Sequence, residues 1–178
     1  MTLEPAIRDA VLAAVPSLRG FAHLLCLNVE QAEHLVEETL ARACIGTQSS
    51  YLGTNTRTWL FTLLRNCFYS KWRRSPELGR DHVETVETKW AQIAQTNCDD
   101  FYRAFSELRP TRREPLILIE ATGLTFEEAA QVCGCRVETM KSRVSRARTE
   151  LVKHLAIKVP TDFANEPVLV AFSECGGR

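Results

Sequence analysis

The chain lacks net charge: 22 basic residues stand against 22 acidic ones, which argues against a nonspecific polycation. It also lacks any run approaching the roughly 18 apolar residues that a membrane helix needs. The opening MTLEPAIRDA places Glu4, Arg8 and Asp9 where a secretory leader needs an apolar core. These features predict a soluble, cytoplasmic chain without membrane insertion. With 8 Gly and 7 Pro among 178 residues, collagen and low-complexity disorder are excluded. The 7 cysteines (Cys26, Cys44, Cys67, Cys98, Cys133, Cys135, Cys175) are odd in number and dispersed, which argues against a disulfide framework. They read as reduced, buried small hydrophobes. Cys133-Gly134-Cys135 has a single residue between its thiols and no second pair, and His23 with Cys26 has none either, so no metal is expected. No phosphate loop and no nucleophile with a base is found, and His23, His34, His82 and His154 fall in no triad spacing. The chain is expected to be neither an enzyme nor a cofactor binder.

What is present is charge sorted into blocks. Arg57 to Arg74 holds Arg57, Arg65, Lys71, Arg73 and Arg74 with no acid, and Arg136 to His154 holds Arg136, Lys141, Arg143, Arg146, Arg148 and Lys153 against Glu138 and Glu150. Asn28 to Leu40 has Glu30, Glu33, Glu37 and Glu38 without a base, and Ser75 to Cys98 is mildly acidic. Two cationic faces on a neutral chain suggest two directed contacts with nucleic acid.

The apolar spacing is helical nearly throughout. Ile7, Val11, Ala14, Leu18, Phe21 and Leu25 recur at steps of three and four, and Pro16 is expected to divide or kink that stretch. Asn28 with Gln31 resembles a capping box opening a helix with Ala32, Leu35, Val36, Leu40 and Ala43 inside, ending near Gly46. Gln48 to Asn55 reads as a loop, and Leu60, Leu63, Leu64 and Cys67 as the buried side of a helix from Arg57 to about Trp72. A linker is expected over 75–98. A second module begins near Asp99, with a helix near Thr111 to Thr122 that tolerates Pro115 and ends at Gly123. The fold class is all-α: two small helical modules over 1–74 and 99–155, the linker between them, and a tail over 156–178 with a β-like run at Val168 to Phe172.

Thr125-Phe126-Glu127-Glu128 is a capping box that starts a short helix, Phe126 to Cys133, after which Gly134 permits a left-handed turn. The next helix, Val137 to about Leu155, carries Val137, Met140, Val144, Ala147, Leu151 and Leu155 on one stripe. Its opposite side presents Glu138, Ser142, Ser145, Arg146 and Thr149, flanked by Thr139, Lys141, Arg143 and Arg148. One face holds such a helix to its module while hydroxyls and cations reach base edges and phosphates. Charge alone also fits a solvated helix. Capping box, glycine turn and basic second helix together favour a helix-turn-helix that reads duplex DNA. On the Arg57 to Trp72 helix, Arg65, Asn66, Tyr69 and Arg73 share an exposed side with Phe61 and Trp72 at its edge, a mixture of rings and cations suited to unpaired bases. Trp59 and Phe68 read as core. Tyr51-Leu52-Gly53-Thr54-Asn55 has small and polar groups able to cradle a flipped base.

GTNTRTWLFTLLRNCFYSKWRR (Gly53 to Arg74) and GLTFEEAAQVCGCRVETMKSRVSRAR (Gly123 to Arg148) closely resemble regions 2 and 4 of bacterial extracytoplasmic function sigma factors, most of all the alphaproteobacterial general stress response subgroup. HLVEETLARA (His34 to Ala43) is similar to the family's region 2.2. The resemblance covers about Leu12 to Leu155. It implies a factor that binds core RNA polymerase and lets it find and open a promoter, with Glu33, His34, Glu37 and Glu38 docking on the polymerase. It further implies that Tyr51, Gly53, Thr54, Asn55, Arg57, Arg65, Asn66, Tyr69 and Arg73 recognise and melt the minus-ten element. Arg136, Glu138, Thr139, Lys141, Ser142, Arg143 and Arg146 would read a GGAAC-like minus-thirty-five element. Stress-response genes as targets and an anti-sigma factor as regulator also follow from the resemblance. His34 stands where the family usually has an acid, Glu37 where it often has Gln, and Arg109 in place of a frequent proline. Two other readings compete: a sigma-like decoy that binds an anti-sigma factor, without the receiver domain such decoys carry, and a plain helix-turn-helix regulator, which leaves the Arg57 to Trp72 face unexplained.

Overall fold

The computed structural model describes residues 5–46, 55–74 and 96–156, and among these every regular element is a helix. α1 (Pro5–Cys26) forms because Val11, Ala14, Leu18, Phe21, Ala22 and Leu25 make one buried stripe. Contrary to the expected break, it runs uninterrupted through Pro16. Pro16 lies on the solvent side with Leu12, where the carbonyl its ring displaces can turn to water. The chain reverses at Leu27, whose φ of +54° is the left-handed conformation usually left to glycine, while its side chain stays against the core. Asn28 then caps α2 (Val29–Gly46), its Oδ1 accepting from the Gln31 amide at 2.8 Å. α3 (Thr56–Arg74) is capped by Asn55, whose Oδ1 accepts from the Arg57 amide at 3.1 Å.

These three helices pack together around Leu18, Phe21, Leu35, Val36, Leu60, Leu64 and Cys67. Phe61, expected at the edge of the exposed side, is instead fully buried with its ring 5.2 Å from that of Phe21. α3 is covered on two sides, by α1 and α2 and by the second module, so more of its circumference is apolar than one stripe predicts.

The second module starts with α4 (Thr96–Glu107), whose Phe101 and Phe105 rings stack at 5.7 Å. The helix thus begins within the stretch read as linker. Pro110 occupies the first turn of α5 (Pro110–Leu116), where its missing N–H costs nothing. The helix expected to run to Thr122 widens into a π turn over Ile117–Ala121, closed by the Thr122 amide donating to the Ile117 carbonyl at 2.9 Å. α6 (Phe126–Cys133) and α7 (Val137–Ala156) complete the module, with Met140, Val144, Ala147 and Leu151 of α7 buried. The two modules share one continuous apolar core: α3 packs along α6, and α1 lies against α5 and the π turn.

Cysteines 26, 67 and 133 are buried, as expected; Cys44 is exposed because it follows the inward-facing Ala43 on α2 and shares the outer side with Ile45. Cys98 and Cys175 lie outside the described side chains, as do residues 75–95 of the expected linker and the 157–178 part of the tail.

Two glycines of opposite backbone conformation give a test of these local arguments. Gly20 is in mid-helix and Gly134 has φ +61°, and a Cβ added at either meets nothing within 4 Å, so only backbone preference differs. In urea unfolding, Gly20→Ala is expected to stabilise the chain by up to about 1 kcal/mol, and Gly134→Ala to destabilise it by about 1–2 kcal/mol.

Candidate nucleic-acid interface

The turn between α6 and α7 is built as its sequence dictates. The Thr125 Oγ1 accepts from the Glu128 amide at 3.2 Å, and the Glu128 Oε2 accepts from the Thr125 amide at 2.9 Å, so two donors at the start of α6 are satisfied reciprocally. Gly134 in the left-handed conformation ends α6 and lets α7 leave at an angle. Arg136 just before α7 and Glu138, Lys141, Ser142, Ser145, Arg146 and Thr149 on it are exposed, and Thr139 and Arg143 are half-buried at its flanks. Arg146 folds back along its own helix, its Nη2 donating to the Ser142 Oγ at 2.7 Å and its Nε to the Ser142 carbonyl at 3.3 Å. Ser142 therefore orders the guanidinium before any ligand arrives. Lys141 lies 6.0 Å from the centre of the Phe126 ring. Arg148 is committed elsewhere: its guanidinium pairs with Glu120 and ties α7 to the π turn.

The first cationic face is arranged differently from its sequence reading. Asn66 and Arg73 face solvent, and the Arg73 Nε donates to the Tyr69 carbonyl at 3.3 Å. Asn55, Arg57, Arg65 and Tyr69, by contrast, are turned toward the second module. The Asn55 amide donates to Glu128 at 3.4 Å, and the Arg57 guanidinium donates to the Thr122 carbonyl. Arg65 Nε lies 2.7 Å from Glu114 Oε1, an ion contact without hydrogen-bond alignment, and its guanidinium sits 4.9 Å from the centre of the Tyr69 ring. The expectation of an open face at Arg65 and Tyr69 is thus corrected: position on a helix predicts distance from that helix's own core, not the arrival of a second module. Tyr51, Gly53 and Thr54 lie outside the described residues.

Charges that the sequence reading did not single out meet at this junction. Glu114 and Arg113 of α5 are both buried. Burial raises the Glu114 carboxyl above its ordinary range, with Arg65 pulling the other way. On Arg65 itself burial is the largest single effect and works to lower the value, but Glu114, Cys133 and Tyr69 together outweigh it and the net direction is up. Among the described residues Arg113 makes no ion pair with a carboxylate and its Nε and Nη1 find no hydrogen-bond partner, and burial lowers its guanidinium to about 10. Burial also pushes the Tyr69 hydroxyl and the Cys133 thiol up, and the Cys26 thiol to about 12, so none of them ionises near neutrality. A charged residue that follows a proline turn inside an apolar helix was the available signal for Arg113 and Glu114.

The acidic helix α2 divides its carboxylates. Glu33 is engaged by His23 at 2.9 Å and Arg19 at 3.4 Å, both from α1. Glu38 is held by Arg42 and Lys71, each at 2.6 Å. His34 and Glu37 point to solvent, 3.7 Å apart. Two of the four expected docking residues therefore tie helices together, and two are free to meet a partner.

Residues 98–151 match the family model for sigma-70, region 4, and residues 11–65 match that for the sigma2 domain of PhyR. Over 175 residues the chain is 41% identical to the ECF RNA polymerase sigma factor EcfG of Rhodopseudomonas palustris, spanning 96% of this chain and 97% of that one. It is 30% identical over 141 residues to the probable RNA polymerase sigma-C factor of Mycobacterium bovis, 70% of each chain. The sigma factor RpoE, solved in complex with the anti-sigma factor NepR from Bartonella quintana, superposes with a TM-score of 0.73 at 38% identity, covering 88% of this chain and all of that one.

The Glu38 cluster has a signature in acid. The hydrogen bond from Lys71 is the first cause that lowers the carboxyl below its ordinary 4.5. A depressed folded value means that the contribution to stability is complete above the ordinary value and is lost as pH falls through and below it. The urea midpoint followed from about pH 7 to pH 3 is expected to fall less steeply on its acid side for Glu38→Gln than for the parent chain, with equal slopes at neutral pH.

Proposed function

Because the chain belongs to the extracytoplasmic function sigma factors, we propose that it binds core RNA polymerase in the cytoplasm and directs it to promoters of stress-response genes. Sigma factors are not enzymes in the catalytic sense, so its whole effect lies in what it holds and where. In this reading residues 99–155 carry the minus-thirty-five contact. Ser142, Arg143 and Arg146, with Arg136, Glu138, Thr139 and Lys141, supply hydrogen bonds to base edges and cations to phosphates in the major groove. The observation that carries it is the outer side of α7, exposed and polar along its length, with Arg146 already ordered by Ser142. Residues 1–74 carry the polymerase and minus-ten contacts. His34 and Glu37 supply exposed groups for docking, and Asn55 with the α3 residues Arg57, Arg65, Asn66, Tyr69 and Arg73 supplies cations and a ring for unpaired bases, together with Tyr51, Gly53 and Thr54. An anti-sigma factor is the expected regulator; the related RpoE of Bartonella quintana was solved bound to one.

A second reading, a decoy that only captures the anti-sigma factor, draws on the match of residues 11–65 to the sigma2 domain of PhyR. The basic recognition helix, which a decoy does not need, weighs against it.

Run-off transcription with purified core polymerase on a promoter bearing a GGAAC-type minus-thirty-five element is expected to give a specific transcript only when this chain is added. No transcript, with a folded chain and an active core, would favour the decoy. Arg146→Ala and Arg143→Ala are each expected to weaken binding to the minus-thirty-five duplex by about 1–3 kcal/mol and to flatten its salt dependence. Glu37→Ala is expected to leave duplex binding unchanged and weaken capture by core polymerase. Equal effects of all three on both assays would contradict this division of labour.

A further inference from the structure

Three ion pairs tie α7 to its own module, and all three are on its C-terminal half. Arg148 meets Glu120 of the π turn, Glu150 meets Arg112 of α5 at 3.4 Å, and His154 meets Glu107 of α4 at 2.6 Å. The N-terminal half has no such ties: among the described residues none of Lys141, Arg143 and Arg146 makes an ion pair with a carboxylate. The helix is clamped at one end and offers the other to a ligand.

The three clamps are not equal. The pairs of Glu150 and His154 are open to water on both partners, and pairs of that kind hold little. Glu120 keeps only 2% of its side chain exposed, and a carboxylate taken out of water depends on its cation. The Arg148 Nε donates to the Glu120 Oε1 at 3.0 Å and Nη2 donates to the same oxygen, so the pair fixes the direction of the guanidinium as well as its charge. The support beneath Glu120 is itself tied down. Thr122, which closes the π turn, donates its amide to the Ile117 carbonyl and its hydroxyl to the Leu118 carbonyl at 2.8 Å.

What this clamp fixes is the rotation of α7 about its own axis. Met140, Val144, Ala147 and Leu151 hold the helix by apolar contact, which has no direction of its own. A helix with its side chains is about 10–12 Å across, so a turn of about 20° carries a side-chain tip about 2 Å sideways. A hydrogen bond to a base edge, made at about 3 Å, does not survive such a shift. Attraction to phosphates, screened over about 10 Å at 0.1 M salt, does. Loss of the clamp should therefore cost discrimination between sequences and spare general attraction to DNA.

We propose that Glu120, acting through Arg148, is a positioning residue for sequence discrimination: it sets the rotation at which the outer side of α7 meets base edges, without touching DNA itself. The discrimination arm rests on the reading of α7 as the duplex contact; the control of orientation does not.

The test uses the full chain and Glu120→Gln, which keeps the size of the buried side chain and removes its charge. Three quantities are read: affinity for a duplex with the GGAAC-type element, affinity for an unrelated duplex of the same length over a salt series, and residual dipolar couplings of the α7 amides relative to those of α6. In Glu120→Gln affinity for the GGAAC-type duplex should fall about tenfold, the size of one lost base contact. Affinity for the unrelated duplex and its salt slope should stay the same, and the α7 couplings should no longer fit the parent orientation. Arg148→Lys keeps the buried carboxylate paired but loses the fork, and should fall between the parent and Glu120→Gln; it decides the matter if Glu120→Gln fails to fold. Discrimination equal to the parent's would overturn the proposal, as would an equal loss on both duplexes. Couplings that match the parent's overturn it in every case. A parent chain that binds both duplexes equally would instead refute the assignment of α7 to the minus-thirty-five element, and shifted couplings would then still support the control of orientation.

Discussion

The ion pair between Arg65 and Glu114 is the contact on which the arrangement of the whole chain turns. It joins α3 of the first module to α5 of the second beside a continuous apolar core, and among the described residues neither charge makes a second ion pair. A buried pair of this kind adds little net stability, yet removing one member leaves the other desolvated and unmatched. Its effect is therefore on which arrangement forms rather than on how firmly it holds. Apolar packing between α3 and α6 would tolerate small slides; a charge that must meet its partner fixes the register.

From that junction the two faces proposed to meet nucleic acid acquire different standing. The outer side of α7 is a finished surface: a capping box and a left-handed glycine set its direction, Glu120 anchors it through Arg148, and Ser142 orders Arg146. On α3, Arg57 and Arg65 are engaged within the molecule, while Asn66 and Arg73 face solvent. Arg65 is largely buried while Arg146 is exposed, so the two cationic faces differ in what they offer to solvent.

The local part of this was legible in the sequence because local physics decides it. Thr125 and Glu128 cap α6 through their own backbone, Gly134 supplies the one conformation the turn requires, and Asn28 caps α2, each within three or four residues of the bond it makes. The stripe on α7 was legible for the same reason, since one side of that helix is buried and the other is not. Phe61, Arg65 and Tyr69 were misread because α3 is buried on two sides, and periodicity within one helix carries no word of a second covering element far along the chain. Leu27 was invisible as a turn because nothing in a leucine announces a left-handed backbone. Pro16 misled in the other direction: the rule that proline breaks helices assumes a carbonyl with nowhere to go, and on the solvent side of α1 it has water.

In the proposed division of labour α7 holds the promoter as duplex while α3 holds it as opened strand. Permanganate reactivity of unpaired thymines, measured on a promoter with core polymerase and this chain, tests that directly. Reactive thymines in the minus-ten region are expected only when both proteins are present. With Arg65→Ala they are expected to be lost, while protection of the minus-thirty-five duplex persists. Equal thymine reactivity with the parent chain and with Arg65→Ala, or loss of the minus-thirty-five protection along with the opening, would contradict it.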